Sequence, residues 1–423
     1  MQSAVKHYYN INKFLVSKLG GWPSQSKFMR ILAPTIITSF IFSIGFLEVS
    51  GTLEMYRKVF AITVGDFQFV KFSETWRTLT QDCECFIVIL ITIGGYIKLF
   101  ALIFNKKNIE RLLSLIDYHW TVFTHSTETP IMHEYAMIGR MMTISYSVLV
   151  YSLMSLYMLI PVTPQLLDLV KPLNKSRPYK YLFDIDYSFE REEYYYFVLL
   201  HAYITTVVTM SIMITVDALY MVFAEHACGL FAAIGSRLEA LTPGRNSNVS
   251  RLVETTATYK LADYIEKDEK LYREIIVVLK QHQLTIEYVC LLDSSFSLTS
   301  FILLFINIIV ISLLGIQILS LLDRKEEMTR YVAMSLGGFM HLFVLSYPGQ
   351  RIIDHSSEVF HKAYNVLWYR MPRKSSRLIN MLLHQCLTPC TLTAGKIYVL
   401  SMTNYASMVQ ASMSYFTALS SFS

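Results

Sequence analysis

The chain has 423 residues, 53% of them hydrophobic and only 16% charged, with 26 Phe, 28 Tyr and 20 Met and a mean hydropathy of +0.39. Ordinary soluble domains carry about a quarter charged residues, so the composition excludes a soluble protein and places the chain in a membrane. A formal net charge of +5 implies no nucleic-acid partner, and six scattered cysteines fit neither a disulfide scaffold nor a zinc framework.

Residues 1–30 carry Lys6, Lys13, Lys18, Lys27 and Arg30 without an apolar core or a small-residue cleavage site, the pattern of a cytosolic tail rather than a cleaved signal peptide. A membrane-spanning helix takes about 20 apolar residues. Scanning on that length predicts seven spans, at 31–50, 83–104, 141–162, 195–224, 296–322, 331–349 and 394–423. The fifth is the plainest, since 298–322 runs without a charge. Between spans four and five, residues 225–295 mix Glu and Lys with Leu271, Ile275, Val278, Leu279 and Ile286 at helical spacing, so both spans are expected to continue into the cytosol as a helical pair. Segment 350–393 holds a second amphipathic stretch, RLINMLLHQCLTP, ended by Pro389 and Gly395.

With no linker, repeat or low-complexity run, residues 1–423 read as one integral domain: tail 1–30, spans one to four in 31–224, cytosolic extension 225–295, spans five and six in 296–349, cytosolic segment 350–393 and the last span 394–423. Cytosolic loops collect Lys and Arg. A cytosolic N-terminus puts 15 of these residues inside and 12 outside once the long 225–295 loop is set aside, which favours N-terminus in and C-terminus out. That is the reverse of a G-protein-coupled receptor, and no Asp-Arg-Tyr or Asn-Pro-x-x-Tyr motif follows the third or seventh span. Of two sequons, at Asn174 and Asn248, only Asn174 is then available for glycosylation.

No phosphate-cradling glycine loop, HExxH, GxSxG or acid–base pair at catalytic spacing occurs, so an enzyme is not expected, and no cofactor is. Glu48, Glu84, Lys98, Asp217 and Lys396 are the ionisable residues inside predicted spans. Each lies near a span end, where a long side chain snorkels to water. Asp217, being short, is the one expected to pair within the bundle. The histidines, His201, His226, His282 and His341 among them, show no metal-ligand spacing.

The last span differs. Thr403, Ser407, Gln410, Ser414, Thr417 and Ser421 fall at spacings of 4, 3, 4, 3 and 4, beside an apolar stripe of Met402, Ala406, Val409, Met413 and Phe416. Such an uncharged polar seam lines a weakly selective aqueous path or packs against neighbouring helices, and periodicity leaves the two open.

The C-terminal stretch LTAGKIYVLSMTNYASMVQASMSYFTALSS, with Gly349-Gln350, Ser356 and Trp368-Tyr369 before it, resembles the insect odorant receptors. His226-Ala-Cys-Gly and His282-Gln283 agree more loosely. The gustatory receptors, which share the layout, end in Thr-Tyr and Gln-Phe pairs. Here Ser414 and Ser421 stand in the polar places before Tyr415 and Phe422, which favours the odorant branch.

The resemblance implies an all-α, seven-helix subunit of a ligand-gated, non-selective cation channel in the plasma membrane of a sensory dendrite. It implies a heterotetramer with the odorant receptor co-receptor, a cytosolic helical anchor and a central pore lined by the last helix of each subunit. Gln410, Ser414 and Thr417 would face that pore, and by motif position the outer gate falls on Ala418 and Phe422, with Ser421 between them. A ligand pocket in the outer halves of spans two, three, four and six would hold Phe86 and Leu90; Tyr151, Met154 and Met158; His201 and Thr205; and Tyr331, Met334 and Gly338. Aromatic and Met walls suit a small apolar ligand. Helix packing explains some of the same residues equally well. A gustatory-type channel assembling alone and a G-protein-coupled receptor remain the alternatives.

Overall fold

The computed structural model describes residues 7–22, 25–43, 72–171, 177–182, 193–241, 257–322 and 324–420. A short helix α1 (Asn10–Lys18) precedes α2, helical over 27–43. Then come α3 (Phe72–Phe104), α4 (Lys106–Val122), α5 (Glu128–Met158), α6 (Thr163–Val170), α7 (Tyr195–Ala240), α8 (Ala257–Ser320), α9 (Lys325–Asn365) and α10 (Arg373–Cys386). A two-stranded hairpin, β1 (Thr393–Ala394) and β2 (Tyr398–Val399), leads into the last helix, α11 (Met402–Ser420).

Five helices are long and apolar enough to cross a membrane, over Phe86–Phe104, Glu128–Val170, Tyr195–Ala240, Glu266–Ser320 and Met328–Arg370. Helix α8 has 64 residues, a length of roughly 96 Å at about 1.5 Å per residue, whereas the hydrocarbon core is about 30 Å thick. Its N-terminal two thirds therefore stand outside the bilayer beside the end of α7, as the Glu/Lys-rich sequence requires.

Helix α7 is the axis of the fold. It is hydrophobic on every side and buried almost without interruption from Ile212 to Leu238, because α5, α9, α3 and α8 pack around it. In contrast, α5 exposes Met137, Met141, Ile144, Val148, Leu153 and Leu156, a surface suited to lipid. In the extramembrane base Leu112 and Ile116 of α4, Phe231 of α7, Val278 of α8, Val359 of α9 and Leu382 of α10 are buried, in a core continuous with that of the bundle through Leu99, Leu303 and Leu342.

The last predicted span needs correction. Residues 394–400 are not helical: Thr393 pairs with Val399 and Ala394 with Tyr398, and the helix begins only at Met402. Apolar Ile397, Tyr398, Val399 and Leu400 imitate a span in composition, but Gly395 (φ +63°) and Lys396 (φ +61°) turn the chain through the left-handed region. The turn is clamped to α8. Asp293 accepts hydrogen bonds from the Thr393 N–H (2.6 Å) and hydroxyl (2.8 Å) and pairs with the Lys396 ammonium. The Ser297 carbonyl accepts the Gly395 N–H at 2.9 Å. Lys396 thus belongs to a hairpin rather than to a span.

Candidate functional site

The outer-half residues fall into separate groups. Leu90 of α3 and Met334 of α9 pack on a buried cluster of Ile87, Val310, Leu314, Leu321 and Tyr331. The Tyr331 hydroxyl donates to Glu84 Oε2 (2.7 Å) and accepts from Arg330 Nη2 (2.7 Å), while Arg330 pairs with Glu84 at 2.8 Å. Glu84 is therefore neutralised within the bundle rather than snorkelling. Phe86 is exposed. Tyr151 of α5 shares a 3.0 Å hydrogen bond with Ser211 of α7, and Met154 beside it is half-buried. Met158, also half-buried, gives its carbonyl to the Tyr203 hydroxyl at 2.6 Å. Thr205 is buried and donates to the His201 carbonyl (3.0 Å), and the His201 ring sits 2.8 Å from the Ser43 hydroxyl of α2. At Gly338 an added Cβ would come within 3.0 Å of Ile311, so α8 and α9 touch there. The hydroxyl and imidazole groups among these residues already have protein partners.

One polar cluster was not foreseen. Lys98 of α3 does not reach water; it is completely buried and donates to Asp217 Oδ1 of α7 at 2.5 Å. The expected pairing of Asp217 is thus met by the residue assigned to snorkelling. Tyr146 of α5 donates to the other Asp217 oxygen (2.9 Å), and His341 Nε2 of α9 accepts from Lys98 (2.8 Å). The Asn307 amide of α8 lies 2.9 Å from His341 Nδ1.

Helix α11 has two faces. Thr403, Ser407, Gln410, Ser414, Thr417 and Ala418 are exposed, whereas Tyr405, Met408, Val409, Ser412 and Phe416 turn toward the chain's own helices. Met402 is half-buried, but Ala406 and Met413 of the predicted apolar stripe are exposed beside the seam. The Ser312 hydroxyl of α8 donates to the Ser412 carbonyl (3.4 Å), Phe343 of α9 meets Tyr405 edge-on at 6.1 Å, and a Cβ on Gly315 would strike Phe416 at 2.4 Å. Ser421, Phe422, Asn174, Asn248 and Glu48 lie outside the described residues.

The motif residues near the C-terminus hold this helix on its base. Gln350 accepts the Met402 N–H (3.1 Å) and donates to Asp354 (2.7 Å), while the Ser356 hydroxyl accepts the Cys390 N–H (3.1 Å). Below them, Arg351 grips Glu225 through two bonds of 2.9 and 2.7 Å, and Arg237 bridges Glu128 (2.8 Å) and Glu274 (2.6 Å). His119 of α4 stacks on His226 of α7 with ring centres 5.3 Å apart, and burial pushes the His119 pKa down to about 4. Burial likewise raises the Cys386 thiol to about 12, so it stays protonated and unreactive. Among the described residues no three His, Cys, Asp or Glu side chains converge as metal ligands.

A family model described as 7tm Odorant receptor matches residues 78–413. The chain belongs to that family. This receptor is 22% identical to odorant receptor 13a of Drosophila melanogaster, over 82% of the chain and 81% of the relative. With odorant receptor 22a of the same fly it shares 25% identity over 52% of each chain, so that match spans about half of the relative. A shorter match, 21% identical over 36% of the chain and 32% of the relative, reaches the odorant receptor coreceptor of Ooceraea biroi. In structure it is similar to the insect olfactory receptor OR5 from Machilis hrabei solved in complex with eugenol, with a TM-score of 0.72, 12% identity, 99% of this chain and 98% of that one covered. The receptor therefore has the seven-helix odorant-receptor fold, α2 and α11 joining the five apolar helices.

Proposed function

We propose that this receptor is the ligand-binding subunit of an odorant-gated, non-selective cation channel, assembled with the odorant receptor co-receptor as a heterotetramer. The observation that carries the reading is the polar face of α11. Five side chains, from Thr403 to Thr417, stand on the side of the helix turned away from its own bundle. Neutral hydroxyls and an amide offer dipoles to a passing cation without a ring of fixed charge, which gives conduction with weak selectivity. Ala418 on the same exposed side is small, so closure at the outer end falls mainly to the co-receptor subunits, with Ser421 and Phe422 beyond it.

The ligand is a small, neutral, mostly apolar molecule held between Leu90, Tyr151, Met154, Met158, Thr205 and Met334. An isolated charge buried there would lack a partner and be costly to host. A relative with this fold is solved with eugenol, a compound of that class. The N-terminus is cytosolic and the C-terminus extracellular, in the plasma membrane of a sensory dendrite. An antibody against an N-terminal tag should bind only after permeabilisation.

The deciding experiment expresses the chain with and without the co-receptor and records current evoked by a panel of volatiles. Current only in the presence of the co-receptor supports the proposal. Current from this chain alone points to the gustatory type of assembly, and G-protein-dependent signals without a fast conductance contradict the channel reading altogether.

A further inference from the structure

Ionisable side chains at membrane depth are rare and face the bundle interior or a partner. Here each of the five long apolar helices sends one polar side chain to a single point: Lys98, Tyr146, Asp217, Asn307 and His341. The Lys98 and Asp217 side chains are 1% and 2% exposed. His341 Nε2 accepts from Lys98, and the other ring nitrogen, Nδ1, lies 2.9 Å from Asn307 Nδ2, so both sides of the ring are engaged. Apolar residues of similar volume often serve stability as well as a buried ion pair, so stability alone does not account for the cluster. What the bonds supply is direction. They tie five helices together at one point, and a shift of α3 along α7 breaks the ion pair, while a shift of α5, α8 or α9 breaks the bond that helix makes to the cluster.

The cluster lies between the proposed ligand residues and the helix proposed to line the pore. On α9, His341 follows Gly338 by three residues and precedes by two Phe343, which touches Tyr405 of α11. On α8, Asn307 precedes by five residues Ser312, which is bonded to Ser412 of α11. On α5, Tyr146 lies five residues from Tyr151.

We infer that the Lys98–Asp217 pair and its three partners form the element that couples ligand binding in the outer half to the position of α11, as positioning residues that do not touch the ligand. The inference rests on the channel reading. Two arrangements of the bundle, pair made and pair broken, differ in energy by the strength of the cluster, and a ligand acts by favouring one of them. Weakening the cluster changes that balance for all ligands alike. Altering a contact residue changes each ligand separately.

The test uses the full chain with the co-receptor, normalised to surface-labelled protein, and three chemically unlike ligands that evoke wild-type current. Lys98→Met and Asp217→Asn should shift every half-maximal concentration by one common factor, on the order of 5- to 150-fold. Baseline current should rise where that concentration falls, and fall where it rises. The charge-swapped Lys98→Asp/Asp217→Lys double variant should return both quantities toward wild type, and Tyr146→Phe should shift them in the same sense by a smaller factor. Should the single variants fail to reach the surface, Tyr146→Phe, which removes one hydrogen bond and no charge, decides. Factors that differ strongly between ligands, unchanged responses at normal surface level, or a swap no better than the singles overturn the inference. A wild type without ligand-evoked current sinks the channel reading and the inference together, whereas a responsive wild type with indifferent variants sinks the inference alone.

Discussion

A Cβ added to Gly349 would lie 2.1 Å from the carbonyl oxygen of Leu400, so α9 meets the link between β2 and α11 backbone against backbone. The contact sits one residue before Gln350, whose side chain accepts the Met402 N–H. Together they fix where the last helix leaves its base.

Gly349→Ala should therefore destabilise the receptor by about 1–3 kcal/mol or more, because a backbone oxygen cannot rotate aside as a side chain can. Gly337 provides the control, since nothing lies within 4 Å of its added Cβ. Surface labelling and detergent melting should show Gly349→Ala impaired and Gly337→Ala close to wild type; equal behaviour of the two would contradict the close approach.

Glu225→Gln should be more damaging than its size suggests. Glu225 is 1% exposed and receives two bonds from Arg351. Removing the carboxylate leaves the Arg351 guanidinium, whose side chain is 24% exposed, without its charged partner, at a cost of about 1–3 kcal/mol. A lowered melting temperature with unchanged ligand ranking is the expected result, and an unchanged melting temperature would show the pair to be dispensable.

The base should also be acid-sensitive through His119. Its folded pKa is pushed by burial from 6.5 to about 4, so the unfolded chain binds more protons between those values and stability rises with pH across them. The contribution is complete above about pH 6.5 and is lost as pH falls toward 4, by roughly 1 kcal/mol at about pH 5.5. Melting measured at neutral pH and near pH 5.5 should fall further for wild type than for His119→Gln; parallel losses would assign the sensitivity to other groups.

Met154→Ala and Tyr151→Ala should change the ranking of ligands while leaving co-receptor-dependent baseline current as it is. Both side chains are half-buried on one turn of α5, opposite Ser211. Identical dose responses across a panel would remove them from the site.

How much of this was visible in sequence depends on the range of the physics involved. The long apolar helices were visible, because a bilayer demands an uninterrupted run of some 20 apolar residues from each. So was the seam of α11, because positions three and four apart share a face whatever they meet. The partnership of Lys98 with Asp217 was not, since the two lie 119 residues apart and only the packing of α3 on α7 brings them together. Composition read alone hid the hairpin too: Ile397 to Leu400 suits a span, and the turn at Gly395 and Lys396 is set by Asp293 and Ser297 of a distant helix. For the outer-half residues, sequence supplied candidates, and structure shows that Tyr151, His201 and Thr205 already have hydrogen-bond partners.

The central claim is that ions pass along the exposed face of α11. Single cysteines at Ser407, Gln410, Ser414 and Thr417, co-expressed with the co-receptor, should react with a small charged thiol reagent faster in the presence of ligand and alter the evoked current. Cysteines at Met408, Val409 and Phe416, which face the chain's own helices, should not. Modification restricted to the seam is the result this account predicts; unreactive seam positions, or equal reactivity on both faces, would contradict it.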